Sequence, residues 1–141
     1  MDGGRICVMV IDANAHMRRL ITTILSALRV TDIVEARSTT AAAPLIGVHN
    51  PHLVVMDWSA DHTEGMLFVH RLRRGEIGAS HTPVLALAKD HHHAVLEEAL
   101  EAGIDEVVAK PLSALELMDR ATTLIAQARR HLAGREAALA V

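Results

Sequence analysis

The stretch Pro51-His52-Leu53-Val54-Val55-Met56-Asp57-Trp58-Ser59, followed by Ala60-Asp61-His62-Thr63-Glu64-Gly65, decides the fold. Leu53 to Met56 is an unbroken apolar run opened by Asn50-Pro51. Such a run reads as a strand buried on both faces. It stops at a carboxylate, Asp57, after which the chain turns polar. In open parallel sheets, ligands bind just beyond the carboxyl ends of the strands. Asp57 therefore stands where chemistry is expected, although an Asp that merely opens a loop has the same local pattern.

Working outward, the same theme recurs on both sides. Ile6 to Ile11 is a second continuous apolar run, ended by Asp12. Asn14 is placed to cap a helix carrying Met17, Leu20, Ile21, Ile24, Leu25 and Leu28 at helical spacing. Thr31 to Ala36 reads as a short strand. Ser38 or Thr39 then caps a helix to about Val48, which Pro44 should make short or irregular. Gly65 to Arg74 reads as a third helix with Met66, Val69 and Leu72 inward, closed by Gly75 and Gly78. Val84 to Ala88 is a fourth strand. Asp90 is a candidate cap for a helix with Val95, Leu96, Ala99 and Leu100 on one face, terminated by Gly103. Ile104 to Ala109 reads as a fifth strand. Lys110-Pro111 follows, then a cap at Ser113 and a helix to about His131. Residues 1–131 are expected to form one domain, and 132–141 an Ala-rich tail that extends the helix or frays.

Five strands alternating with helices predict an α/β fold with a parallel sheet covered on both faces. Right-handed crossovers place every strand's carboxyl end on one edge. Asp12, Asp57, Ala88 and Lys110 thereby converge. Two carboxylates and an ammonium at such a crevice suit a hard divalent cation beside an anion. Asp12 and Asp57 offer the oxygens that Mg²⁺ takes, and Lys110 offers a point charge for a phosphoryl oxygen. A cis Lys110-Pro111 bond would turn the chain so that the Lys points back into the site.

Composition narrows the function further. The 141 residues hold one Trp, one Phe and no Tyr, so no stacking platform for bases can be built. The net charge of −3 disfavours a general phosphate-backbone binder. Cys7 is the single cysteine, which excludes an internal disulfide and reads as buried filler. Met1-Asp2-Gly3-Gly4 does not resemble a signal peptide, and no apolar run is long enough to span a bilayer. A cytoplasmic protein without a membrane segment is the expectation. No Gly-x-Gly-x-x-Gly follows the first strand, which disfavours a dinucleotide site. Ser59 stands where an Asp-x-Asp phosphatase would need its second acid. His91-His92-His93, if helical, point about 100° apart and cannot converge on one metal.

At this point the chain resembles a response-regulator receiver domain of the chemotaxis-receiver type. The residues that carry the likeness are Val10-Ile11-Asp12 with Met17-Arg18-Arg19, Met56-Asp57-Trp58 with Gly65, Pro83-Val84-Leu85-Ala86-Leu87, Ala102-Gly103 and Lys110-Pro111. They span about residues 5 to 130, and their order and spacing make the match specific. The resemblance implies a flavodoxin-like, doubly wound sheet in the order 2-1-3-4-5 with five helices. It also implies that Asp57 accepts a phosphoryl group from a histidine kinase or phosphotransfer protein. Lys110 would pair with that phosphoryl, and Mg²⁺ would be held by Asp12, Asp57 and Ser59. The signal would pass to a downstream target protein, with no DNA-binding domain.

Three positions depart from the family pattern. Ala13 replaces the second of two adjacent acids, so Mg²⁺ should bind weakly. Ala88 replaces the Ser/Thr whose hydroxyl reaches the phosphoryl, and Val107 replaces the aromatic that moves with it. The resemblance therefore leaves two readings open. One is a stand-alone receiver phosphorylated on Asp57 that binds a partner. The other is a pseudo-receiver without phosphoryl chemistry, acting as an adaptor or as a module gated by a cyclic dinucleotide. Arg71, Arg73 and Arg74, with Arg18 and Arg19, would hold the dinucleotide. Trp58 is expected to lie partly exposed on the rim of the site.

Overall fold

The computed structural model describes residues 4–58, 63–89 and 92–139, except the side chain of residue 136. Strands and helices alternate: β1 (Cys7–Ile11), α1 (Ala15–Ser26), β2 (Asp32–Ala36), α2 (Thr39–His49), β3 (Leu53–Asp57), α3 (Thr63–Arg73), β4 (Val84–Ala88), α4 (His93–Ala102), β5 (Glu106–Ala109) and α5 (Ala114–Leu139). The five strands are parallel in the order β2-β1-β3-β4-β5. This is the doubly wound, flavodoxin-like arrangement that the alternation predicts.

Strand periodicity divides the core between two faces. Met9, Ile11, Val54, Met56, Ala86 and Ala88 meet Ile46, Phe68, Leu72, Ala99 and Ala102 of α2, α3 and α4. Val8, Val10, Leu53, Val55, Leu85 and Leu87 meet Ile21, Ile24 and Leu25 of α1 and Leu117, Ala121, Leu124 and Ile125 of α5. β1 and β4 are buried along their whole length, which is why their sequences run apolar without alternation.

Local chemistry sets the helix ends. The Asn14 side chain accepts from the His16 and Met17 amides, and Ser38 accepts from the Ala41 amide. Gly103 closes α4 at φ 110°, a left-handed conformation that costs a residue without a Cβ little.

Several expectations need correction. Pro44 neither shortens nor breaks α2, which runs through it from Thr39 to His49. Pro44 is exposed, and its missing N–H costs one backbone hydrogen bond without ending the helix. α4 begins at His93 with His92 as its cap residue, two positions beyond Asp90, which lies outside the described residues. His92 and His93 straddle the start of the helix, and His93 pairs with Glu97 one turn on, at 2.8 Å; His91 lies outside the described residues. Leu100 is 55% exposed rather than inward, because Ala99 and Ala102 form the buried stripe of α4. Leu20 likewise faces solvent. Of the two outcomes expected beyond His131, the helix is extended: α5 continues to Leu139.

Candidate functional site at the carboxyl edge of the sheet

β1 and β3 are adjacent, so Asp12 follows the end of one central strand and Asp57 ends the other. β4 and β5 pair with Ala88 opposite Ala109, which sets Lys110 just past the same edge. The Lys110-Pro111 bond is cis. Lys110 Nζ donates to Asp57 Oδ1 at 2.6 Å and stands 3.8 Å from Asp12 Oδ2. The Lys110 side chain is 12% exposed and that of Asp57 24%, so the pair is shielded but open to a ligand on one side.

Asp12 is the more constrained carboxylate. It is 5% exposed, and its Oδ1 accepts from the Asn14 amide at 2.8 Å. Its Oδ2 is buried without a hydrogen-bond partner among the described residues. Burial pushes the Asp12 pKa up, and the Asp57 charge pushes it further. The Asn14 amide, Lys110 and Arg18 act in the opposite sense. Arg18 also donates to the Asp12 carbonyl at 2.6 Å and pairs with Glu35 at 3.1 Å, tying α1 and β2 to the loop after β1.

A raised native pKa means that ionised Asp12 destabilises the fold at neutral pH. The penalty is complete above that raised pKa and disappears as the pH falls toward 3.8, the ordinary value. Asp12→Asn should therefore stabilise the metal-free protein by about 1 kcal/mol at pH ~7. The gain should shrink on acidification. Denaturation over a pH series checks this, and a gain that grew toward acid pH would contradict the assignment.

A hard cation fits this arrangement. Asp12 and Asp57 line one cavity of about 240 Å³, and Asp12 Oδ2 has no hydrogen-bond partner among the described residues. Two carboxylates with water completing the shell is a set that Mg²⁺ accepts. No cluster of three or more His, Cys, Asp or Glu ligands forms among the described residues. Ala13 lines the cavity and adds no oxygen ligand from its side chain. Ser59, the third expected ligand, lies outside the described residues.

The rest of the cavity wall went unread in the sequence. Arg37, Ser38 and Thr39 follow the end of β2, and Glu64 is in the first turn of α3. The strand-end rule that singled out Asp12 and Asp57 applies equally to Arg37, since β2 ends at Ala36. Trp58 is not a rim residue. It is 2% exposed, packed against Gly65, where a Cβ would lie 3.1 Å from the indole Cζ3. Ala88 is buried and Val107 half-buried in the core beside it.

The arginines do not form one group. Arg18 and Arg19 are on α1, which packs on the opposite face of the sheet from α3. Arg73 is structural: it donates to the carbonyls of Ser80, Thr82 and Gly103 and pairs with Asp105 at 2.8 Å. Arg71 pairs with Glu76 at 3.7 Å.

Residues 8–122 match the response regulator receiver domain. The chain is 29% identical to the chemotaxis protein CheY of Pseudomonas aeruginosa, over 80% of this chain and 90% of that one. It is 28% identical to the phosphate regulon transcriptional regulatory protein PhoB of the same organism, of which it spans 48%. The receiver domain of the Francisella response regulator 1452 superposes with a TM-score of 0.75 at 26% identity, covering 86% of this chain and 97% of that one. With the sheet order, the paired Asp57 and Lys110, and a match over most of its length, this chain belongs to the response regulator receiver family.

Proposed function

We propose that the protein is a two-component receiver that takes a phosphoryl group onto Asp57 and acts by binding a partner protein. The observation that carries this reading is the Asp57 carboxylate, open on one side and held at 2.6 Å by Lys110. A carboxylate oxygen attacks phosphorus, the bond from phosphorus to the donor's imidazole nitrogen breaks, and an acyl phosphate forms. Lys110 holds the carboxylate in place and then offers its charge to a phosphoryl oxygen. Asp12 and Asp57 would hold Mg²⁺, which neutralises phosphoryl charge when bound. Incubation with Mg²⁺ and a small phosphodonor, followed by intact mass, tests the reading: one added phosphoryl group is expected, and an unchanged mass opposes it.

The metal site is reduced. An Asp at position 13 would supply a hard oxygen and more negative charge beside the ion. Ala13→Asp should tighten Mg²⁺ binding by about tenfold. Trp58, which lines the same cavity, gives a fluorescence readout. Tight binding in the unsubstituted protein, unchanged by Ala13→Asp, would refute the assignment.

The partner surface is the face of α4, β5 and α5, where Leu100 and Leu115 are exposed beside half-buried Val107. A histidine kinase or phosphotransfer protein supplies the phosphoryl. Among the described residues, no helix is long and apolar enough to cross a membrane. The adaptor reading draws on Ala13, Ala88 and Val107. Its cyclic-dinucleotide form gains nothing from the geometry, since the arginines lie on opposite faces and Arg73 is engaged.

A further inference from the structure

The opposite edge of the sheet carries a feature completed by residues beyond the family match. That match ends at residue 122, whereas α5 runs on to Leu139 and passes beneath the amino ends of β3 and β4. A cavity of about 290 Å³ lies there. This is roughly twice the ~150 Å³ that accommodates benzene in a protein core, enough for two fused rings.

Much of the wall is apolar: Ile46, Pro83 and Ala128 are buried, and Leu132 closes one side. The polar residues are Asn50, His52, His81 and Thr82, from the loops before β3 and β4, and exposed Arg135 on α5, the one described lining residue with a permanent charge. Among the described side chains, no carboxylate lines the cavity. The His81 ring stacks on His131 of α5 with centroids 3.8 Å apart, so the helix is docked through this wall. Burial lowers the His81 pKa, and His131, Arg135 and Arg73 all act in the same direction. The surroundings are thus electropositive and the pocket floor is greasy.

We propose that this pocket binds a small organic anion: an apolar body between Pro83, Ala128 and Leu132, with its carboxylate turned to Arg135. An uncharged ligand would leave the basic side unused. Free phosphate would leave the apolar walls without a partner. A carboxylate on a ring or branched hydrocarbon matches both halves of the surface. The site lies at the opposite end of β3 from Asp57 and does not depend on the phosphoryl reading.

The test uses naphthoate, naphthalenemethanol and inorganic phosphate as probes, with the full chain followed by amide NMR. Naphthoate should shift residues 79–83 and 128–135 saturably, with a Kd on the order of 1 mM or tighter. Naphthalenemethanol should bind about fivefold more weakly, and phosphate should not bind. Arg135→Glu, a change at an exposed position, should weaken naphthoate by about tenfold and leave naphthalenemethanol unaffected. Leu132→Lys should weaken both. Thermal melts of the variants establish that they fold. Absence of saturation, shifts that map instead to the Asp57 edge, phosphate binding as tightly as naphthoate, or an Arg135→Glu loss equal for both aromatic probes would each overturn the proposal.

Discussion

Asp57→Asn should abolish phosphoryl uptake completely. The amide it creates cannot form the acyl phosphate. Asp12 is the only other carboxylate at the strand ends within reach of Lys110 among the described residues. It is buried, its Oδ1 is held by the Asn14 amide, and burial raises its pKa. A lost catalytic nucleophile removes all of a covalent step, not a fraction of it. The fold should survive, because the amide oxygen can still accept from Lys110. Intact mass after incubation with a phosphodonor checks the result. A label that persists in Asp57→Asn would move the chemistry to another residue.

Trp58→Ala should cost about 3–5 kcal/mol of stability, the range for truncating a buried aromatic. The indole is 2% exposed, at the end of β3 and against Gly65 of α3. It is the largest side chain in a core otherwise built from aliphatic residues and Phe68. Its removal opens a void beside the site that Leu or Val neighbours cannot fill without moving. For a chain of this size the melting temperature should fall by roughly 10–15 °C. Trp58→Phe should recover most of the loss. A cost under about 1 kcal/mol would mean that the site end of the core is loose enough to collapse. The position thus serves packing first and reports on the cavity second.

The sheet was legible because its three central strands, β1, β3 and β4, are buried on both faces almost throughout. Short strands separated by helices leave little freedom, and right-handed crossovers then gather Asp12, Asp57 and Lys110. What the sequence did not disclose depends on three-dimensional neighbours. Trp58 follows a charged residue and reads as exposed, but Gly65 leaves the space in which it is buried. Pro44 reads as a breaker, yet at an exposed position it costs α2 one backbone hydrogen bond and no packing. Leu100 fits an apolar stripe by spacing, but two alanines occupy the buried side and let α4 approach the sheet closely. The pocket under α5 had no local signature, since its walls come from α2, the loop before β4 and the end of α5.

Phosphorylation can shift this molecule only by the difference in its interaction with two states. A hydrogen bond to a charged group contributes about 1.5–3 kcal/mol, and Ala88 has no side-chain atom with which to make it. Val107 is half-buried against the core and is too small to act as a ring that swings in or out. On the proposed function, Asp57 keeps its chemistry while the route from it to α4 and β5 is muted. Amide hydrogen exchange with and without a beryllofluoride mimic of the phosphoryl group separates the two parts of this claim. The predicted result is protection confined to the loops after β1 and β3. Protection spreading through α4 and β5 would contradict the muted switch, and no protection at either loop would contradict phosphoryl binding at Asp57 itself.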